Sequence, residues 1–151
     1  PGRDLLAFKA LGHHPIGLDG CAEFVALARS RTECEVLHQD FLNLNLKSMA
    51  FDGVFANASL FHVPTQELER VLCDIQSCLK VDGVFFCSNP RGSDTEQFNG
   101  DRYGAFLELD TWRGFAQSAG FTELEHYYRP SGKPREQQPW LATVWRKLTA
   151  D

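Results

Sequence analysis

The hydrophobic pattern of this chain switches between helix-type and strand-type spacing from one end to the other, and this alternation constrains the fold most. In some segments apolar residues recur about three to four positions apart, and in others they form short continuous runs. No internal repeat, low-complexity tract or linker interrupts the pattern. Such alternation is typical of an α/β domain, so we predict a single domain over residues 1–151.

The predicted elements are helix, strand, helix, strand, loop, strand, helix, strand, helix and two strands. Thr65 and Asp110 are predicted to cap the third and fourth helices, and the last two strands are predicted to form an antiparallel hairpin. Residues 89–108 are polar and contain glycines, which favours a long functional loop. The first helix is predicted over 3–11 with Leu11 facing inward, the second helix to end near 31, and the strands over 15–19, 34–41, 51–60, 84–88, 122–129 and 141–147. An apolar stripe is predicted on one face of the third helix, formed by Leu68, Val71, Leu72, Ile75 and Leu79.

Composition and charge exclude several classes of protein. A hydrophobic fraction of 43% is enough to build a core, whereas a net charge of -5 opposes binding to nucleic-acid phosphates. No apolar run reaches the roughly 18 residues that a membrane span needs, and the first residues do not resemble an export signal. The five cysteines form no C-x-x-C pair, which suggests neither a thiolate metal site nor a disulfide framework. We predict a soluble cytoplasmic protein with no metal, nucleic-acid or membrane partner, and leave its oligomeric state open.

A group of basic residues occurs near the C-terminus of the chain. We interpret this group as a solvated face rather than as a patch for an anionic substrate. Its members are Arg129, Lys133, Arg135, Arg146 and Lys147.

A glycine and an acidic residue stand where a nucleoside-binding unit requires them. Gly2 precedes the first predicted helix, and Asp19 ends the strand that follows it. In a Rossmann-like unit the glycine lets the backbone approach the ligand, and the acidic residue binds the ribose hydroxyls. A carboxylate suits this role because it can accept two hydrogen bonds from a vicinal diol. Taken alone, this pair is equally compatible with a structural role or with the ribose of NAD.

Further segments in the same order make the pattern more specific. Together they resemble the class I S-adenosylmethionine-dependent methyltransferases, including the end of that family's glycine-rich loop and its turn into the fifth strand. The resembling segments are Pro1-Gly2-Arg3, Gly17-Leu18-Asp19, Gln39-Asp40-Phe41, residues 51–58, residues 79–86 and Ala119-Gly120-Phe121.

The resemblance implies an α/β fold of the Rossmann-like doubly wound kind, with a mostly parallel sheet and a C-terminal antiparallel hairpin. It implies S-adenosylmethionine as cofactor and in-line transfer of its sulfonium methyl to a small-molecule acceptor. Gly2 would lie near the methionine part, Asp19 and the adjacent Gly20 at the ribose, and Asp40 with Phe41 at the adenine. The remaining implied site residues, which would face the cofactor or the acceptor, are Asn57 and Ala58.

One histidine and several aromatic residues are candidates for contact with the acceptor. His62 could orient or deprotonate a nucleophile, since its pKa ordinarily lies near neutrality, or it could be a loop histidine satisfied by a neighbouring group. The aromatic candidates are Tyr103, Phe106, Trp112, Tyr127, Tyr128 and Trp140.

Two departures from the family pattern stand out. Val81-Asp82 replaces the usual Pro-Gly, and the family's first central strand and earlier glycines would all precede Pro1. We therefore hypothesise that the chain is a fragment without that strand, whose two flanking strands would each have an unpaired edge. Two alternative functions remain, an NAD-dependent oxidoreductase and a catalytically silent methyltransferase-like domain. No Tyr-x-x-x-Lys pair supports the first of these.

Overall fold

A computed structural model describes residues 1–148, which fall into two compact units. The first unit, Pro1–Asn45, contains a parallel pair of strands in which Asp19 lies opposite His38. Its elements are α1 (Arg3–Ala10), β1 (Gly17–Asp19), α2 (Ala22–Thr32), β2 (Val36–His38) and a 3-10 turn at Phe41–Asn43. Each predicted helix and strand of this region is present, and the strands are shorter than predicted.

The first unit has a small core between α2 and β2. Val25, Ala28 and Val36 are buried there, and Leu5 of α1 packs against them. Leu11 was predicted to face inward, but its side chain is 73% exposed. That prediction is wrong because α1 ends one residue earlier and Gly12, at φ +87°, turns the chain away.

Gly2 is required by local packing at the start of α1. Its φ is +86°, and a Cβ there would lie 2.6 Å from Cγ2 of the buried Thr32. Gly12 has the same left-handed φ, but a Cβ there would meet nothing within 4 Å. The two glycines therefore separate the cost of a left-handed backbone from the cost of a steric clash.

We expect Gly12→Ala to lower the free energy of unfolding by about 1–2 kcal/mol, because a side chain disfavours this φ. Gly2→Ala should cost about 1–3 kcal/mol more, since the new methyl also overpacks against Thr32. Urea unfolding of both variants measures the difference. Equal losses of unfolding free energy in the two variants would show that the Thr32 side chain moves aside without lowering stability.

The second unit, from Leu46 onward, contains a four-stranded sheet in the order β3-β4-β8-β7. β3 and β4 are parallel, whereas β8 is antiparallel to both β4 and β7. The predicted C-terminal hairpin is confirmed. The elements are β3 (Phe51–Asn57), a 3-10 turn at Leu60–His62, α3 (Thr65–Cys78), β4 (Leu79–Pro90), β5 (Thr95–Asn99), β6 (Arg102–Phe106), α4 (Leu109–Ser118), β7 (Phe121–Arg129), a 3-10 turn at Arg135–Gln137 and β8 (Trp140–Lys147).

The core of this unit lies between helices and the four-stranded sheet. The apolar stripe predicted on α3 is confirmed, since its members are all buried. Phe85 of β4 and Phe121 of β7 are also fully buried, with ring centroids 5.2 Å apart. The α3 residues of the stripe are Leu68, Val71, Leu72 and Ile75, and the stripe continues at Leu79 on β4.

Residues 89–108 are not the long loop that was predicted. Asn99 pairs with Arg102, and the strands β5 and β6 form a hairpin around Gly100, whose φ is +61°. The prediction failed because every residue of β5 is exposed, so the strand carries no apolar alternation. The Gly-Asp pair at 100–101, which forms the two-residue turn, was the available signal for a hairpin.

The two predicted helix caps are also wrong. The N-cap of α3 lies one position before Thr65, and the N-cap of α4 lies two positions before Asp110. Thr65 is the first residue of α3, and its backbone N–H is satisfied by the Glu96 carboxylate, 3.1 Å away. Glu108 takes the N-cap position of α4, and Asp110 instead lies in its first turn, paired with Arg113 at 2.9 Å. At α3 the satisfying side chain comes from β5, and at α4 Asp94 accepts hydrogen bonds from the Glu108 N–H and the Thr111 hydroxyl.

Among the strands of residues 1–148, β1 and β3 each pair on one side only. β1 pairs with β2, and β3 pairs with β4. In the same residues, no helix has the length and apolar character that crossing a membrane would require.

Candidate functional site

Two aspartates stand at the carboxyl ends of the parallel strands of the first unit. Oδ1 of Asp19 accepts a hydrogen bond from the backbone N–H of Cys21 at 2.8 Å. Oδ1 of Asp40 accepts one from the backbone N–H of Leu42 at 2.7 Å. Each carboxylate is thus fixed by the turn that follows its strand, and its Oδ2 has no donor among the described residues.

This arrangement fits a nucleoside ligand. Ligands of open α/β sheets bind beyond the carboxyl ends of the strands, where these two carboxylates lie. Gly20 is exposed and Phe41 is half-buried, and they directly follow Asp19 and Asp40. The sequence prediction therefore named four residues that the fold places at one edge of this sheet.

Gly2 has a different position. It begins α1, accepts a hydrogen bond from the backbone N–H of Leu6 at 3.1 Å, and packs closely on Thr32 of α2. These contacts account for a glycine here without any ligand. Its place beside the methionine part of a cofactor remains a prediction.

In the second unit, Asn57 and Ala58 line an open pocket at the end of β3. Ala58 has a φ of +56°, and its backbone N–H donates to the Ser88 carbonyl at 2.7 Å. The other residues lining this pocket are Arg129, Pro130 and Trp140. We call it the Arg129 pocket.

Arg129 is held at this pocket by a buried hydroxyl and an indole ring. Its Nη2 donates to Oγ of Ser88, which is fully buried. Its guanidinium carbon lies 5.9 Å from the centre of the Trp140 ring. Because the C-terminal basic residues were interpreted as a solvated face, the sequence analysis did not predict that Arg129 lines a pocket.

His62 is bound to the backbone of the β5–β6 hairpin. Its Nδ1 lies 2.7 Å from the carbonyl oxygen of Tyr103, which places the proton on Nδ1 and leaves Nε2 as an acceptor. The ring is exposed and lies against Phe61, with centroids 3.9 Å apart. This geometry matches the loop-histidine alternative, and a catalytic role for His62 remains a prediction.

Of the six aromatic candidates for the acceptor site, Trp140 is the one that lines the Arg129 pocket. Trp112 belongs to the core, since it is buried and donates its indole N–H to Thr143 at 3.0 Å. Tyr128 is covered by two guanidinium groups, those of Arg91 and Arg135.

Glu96 of β5 joins the hairpin to the start of α3. Its carboxylate accepts hydrogen bonds from the backbone N–H and hydroxyl of Thr65 and from the hydroxyl of Tyr103. These bonds lower the pKa of Glu96 below its ordinary value of 4.5. Burial, and then the bond to Glu96, raise the pKa of Tyr103 to about 12.

We expect acidification to weaken this junction. Because the folded-state pKa of Glu96 is depressed, its contribution to stability is complete above pH 4.5 and is lost as the pH falls through the lower folded value. In Glu96→Gln this part of the acid dependence should disappear, whereas Glu125→Gln, which removes an exposed carboxylate, should retain it. Thermal unfolding between pH 3 and pH 7 measures both variants, and equal profiles would contradict the expectation.

The first part of the chain is similar in sequence to a known family of domains. Residues 1–87 match the sequence model of a family described as "Methyltransferase domain". Among curated proteins, "Probable tRNA methyltransferase 9B" of Bos taurus is 39% identical over 54 residues, which is 36% of this chain. The match spans 12% of the length of that relative.

Solved structures show the same fold at low sequence identity. A 1,6-didemethyltoxoflavin-N1-methyltransferase of Burkholderia thailandensis, solved with bound 1,6-didemethyltoxoflavin and S-adenosylhomocysteine, has a TM-score of 0.80 and 21% identity over 98% of this chain and 67% of its own. An S-adenosylmethionine-dependent methyltransferase of Methanosarcina mazei has a TM-score of 0.83 and 13% identity over 97% and 87%. The cyclase SpnF has a TM-score of 0.71 and 16% identity over 89% and 66%. The Rossmann-like α/β fold is therefore confirmed, and the fold alone does not fix the reaction.

Proposed function

This chain belongs to the methyltransferase domain family, and on that premise we propose that it binds S-adenosylmethionine and transfers a methyl group to a small-molecule acceptor. The observation that carries the proposal is the pair of fixed carboxylates, Asp19 and Asp40, at the ends of adjacent parallel strands. The family match covers both strands and extends through β3.

Different residues of the first unit are assigned to different parts of the cofactor. We assign the ribose hydroxyls to Asp19, because its Oδ2 is uncommitted and the adjacent Gly20 adds no side chain. Asp40 and Phe41 are assigned to the adenine. A carboxylate oxygen can accept a hydrogen bond from the adenine, and a flat apolar ring can pack against it. Gly2 remains the candidate for the methionine part.

When bound, the cofactor supplies an activated methyl group, whose carbon bonds to the acceptor's lone pair while the carbon–sulfur bond breaks and leaves its electron pair on sulfur. The chain's task is chiefly to position the acceptor, since proximity and orientation can supply most of the acceleration. Asn57 and Ala58 are assigned to ligand contact at the end of β3. The free Nε2 of His62 is the candidate to receive the proton that an acceptor loses.

The acceptor is proposed to be a small molecule. The net charge of -5 opposes a nucleic-acid substrate, and the Burkholderia thailandensis methyltransferase acts on a small heterocyclic compound. The similarity to a probable tRNA methyltransferase covers only 12% of that protein's length. It therefore argues little for an RNA acceptor.

Calorimetric titration with S-adenosylhomocysteine and with NAD separates this function from the alternatives. We expect saturable binding of S-adenosylhomocysteine and no binding of NAD. Binding of NAD alone would instead support an oxidoreductase. A silent domain would bind S-adenosylmethionine but would release no S-adenosylhomocysteine when it is screened against small carboxylates and heterocycles.

A further inference from the structure

Arg129 is a partly buried cation with no carboxylate partner among residues 1–148. Other half-buried arginines of the second unit do have one. Arg91 lies 3.8 Å from Glu108, and Arg113 forms two hydrogen bonds with Glu123. The Arg129 side chain contacts only a neutral hydroxyl and an aromatic ring, so its charge is not neutralised within the described structure.

The hydrogen bonding of Arg129 is also incomplete. Its Nε is buried and has no acceptor, while Nη2 has a single acceptor in Ser88. An unsatisfied donor on a charged group opposes folding, because the group loses water without gaining a partner. A buried unsatisfied donor in a native structure calls for an explanation, and an absent bound group is one. Because Nε itself is buried, a ligand in the pocket would reach the rest of the guanidinium, and the group that complements its positive charge is an anionic acceptor.

The sheet holds Arg129 in place at this pocket. Ser88 of β4 is fully buried, and its register neighbours are Asn57 of β3 and Ala142 of β8. Arg129 of β7 itself lies opposite Trp140 of β8. The guanidinium is thus hydrogen-bonded to a residue of β4 and lies beside a ring of β8, which distinguishes it from an exposed lysine or arginine.

The other walls of the pocket suit a flat, partly apolar molecule. Trp140 offers an indole face, Pro130 and Ala58 offer apolar surface, and Asn57 offers an amide. A planar guanidinium binds a planar carboxylate through parallel hydrogen bonds, and an aromatic ring stacks on indole. These features together describe a small aromatic or unsaturated carboxylate.

We propose that the Arg129 pocket binds the carboxylate of a small planar acceptor, with Arg129 as its specificity-determining residue and Trp140 as the surface on which its ring lies. The term acceptor rests on the proposed function, whereas the carboxylate site does not. An acidic protein that selects an anionic substrate needs such a local cation, since its net charge of -5 would otherwise repel the ligand.

Titration with benzoate and with its neutral analogue benzamide tests the proposal. The readout is the indole N–H signal of Trp140 in nitrogen-15 spectra, identified by its disappearance in Trp140→Phe. We expect benzoate to shift this signal with an affinity at least about tenfold higher than that of benzamide. Its affinity should also fall as sodium chloride rises, because a charge is being recognised.

The matched variants are Arg129→Gln and Arg146→Gln, which remove the same charge. Arg146 is exposed and lies at the far end of β8, opposite Val84. We expect Arg129→Gln to weaken benzoate binding at least about tenfold and Arg146→Gln to change it less than about twofold. Unchanged affinity in a folded Arg129→Gln variant would overturn the proposal.

If Arg129→Gln does not fold, the wild-type protein still decides the question. Benzamide binding as tightly as benzoate, or benzoate affinity that is insensitive to salt, would overturn the proposal without any variant. All these titrations are run without S-adenosylmethionine. Benzoate binding with no binding of S-adenosylhomocysteine would therefore contradict the proposed function and leave the carboxylate site standing.

Discussion

Asp19→Ala should weaken the binding of S-adenosylhomocysteine by about 10–100-fold, because each hydrogen bond between a carboxylate and a ribose hydroxyl contributes about 1.5–3 kcal/mol. The substitution also removes the acceptor for the Cys21 N–H, so the turn after β1 loses its anchor. Both effects act at the same place. Calorimetric titration of the variant measures their sum.

Two control variants separate the charge from the turn. Asp19→Asn keeps an oxygen for the Cys21 N–H but lacks the negative charge, and we expect it to bind with intermediate affinity. Asp4→Ala removes an exposed aspartate of α1 that pairs only with its neighbour Arg3, and we expect no change in affinity. If Asp19→Ala binds as tightly as the wild type, Asp19 is not a ribose ligand.

Phe85→Ala should lower the free energy of unfolding by about 3–5 kcal/mol, because a large aromatic side chain is removed from the core. The ring is completely buried at the centre of the four-stranded sheet and packs on Phe121. Its removal leaves a cavity that neighbours on β4 and β7 cannot fill without moving the sheet. Urea unfolding followed by circular dichroism measures the loss.

Phe98→Ala is the matched control, since the same side chain on β5 is 73% exposed. We expect its stability to stay within about 0.5 kcal/mol of the wild type. A Phe85→Ala loss below about 1 kcal/mol would mean that the second unit has no tightly packed core at this position.

The sequence predicted the fold best where apolar residues repeat regularly. The stripe on α3 and the two final strands have strong periodicity, and both were correctly predicted. The β5–β6 hairpin was missed because β5 buries no side chain and so carries no hydrophobic pattern. Thr65 was misassigned as a cap because Glu96, distant in sequence, supplies the acceptor that local rules expect from a neighbour.

The two sets of site residues differ in how far the sequence reveals them. Asp19 ends its strand and Asp40 lies two residues beyond the end of its own, so chain order alone locates them at one sheet edge. Arg129 and Ser88 are 41 positions apart in the sequence. They meet because β4, β8 and β7 are consecutive strands of one sheet, so that the Arg129 side chain reaches Ser88 across β8. That strand order is not encoded in local periodicity. The contact could therefore be seen only in the folded structure.

Amide chemical-shift mapping with S-adenosylhomocysteine tests the central claim most directly. If the ends of β1 and β2 form the cofactor cradle, saturating ligand should shift the amide signals of Asp19, Gly20, Asp40 and Phe41 most strongly within the first unit, and those of the exposed turn at Gly12 little. Absence of shifts at those four residues, or shifts confined to other parts of the chain, would contradict it.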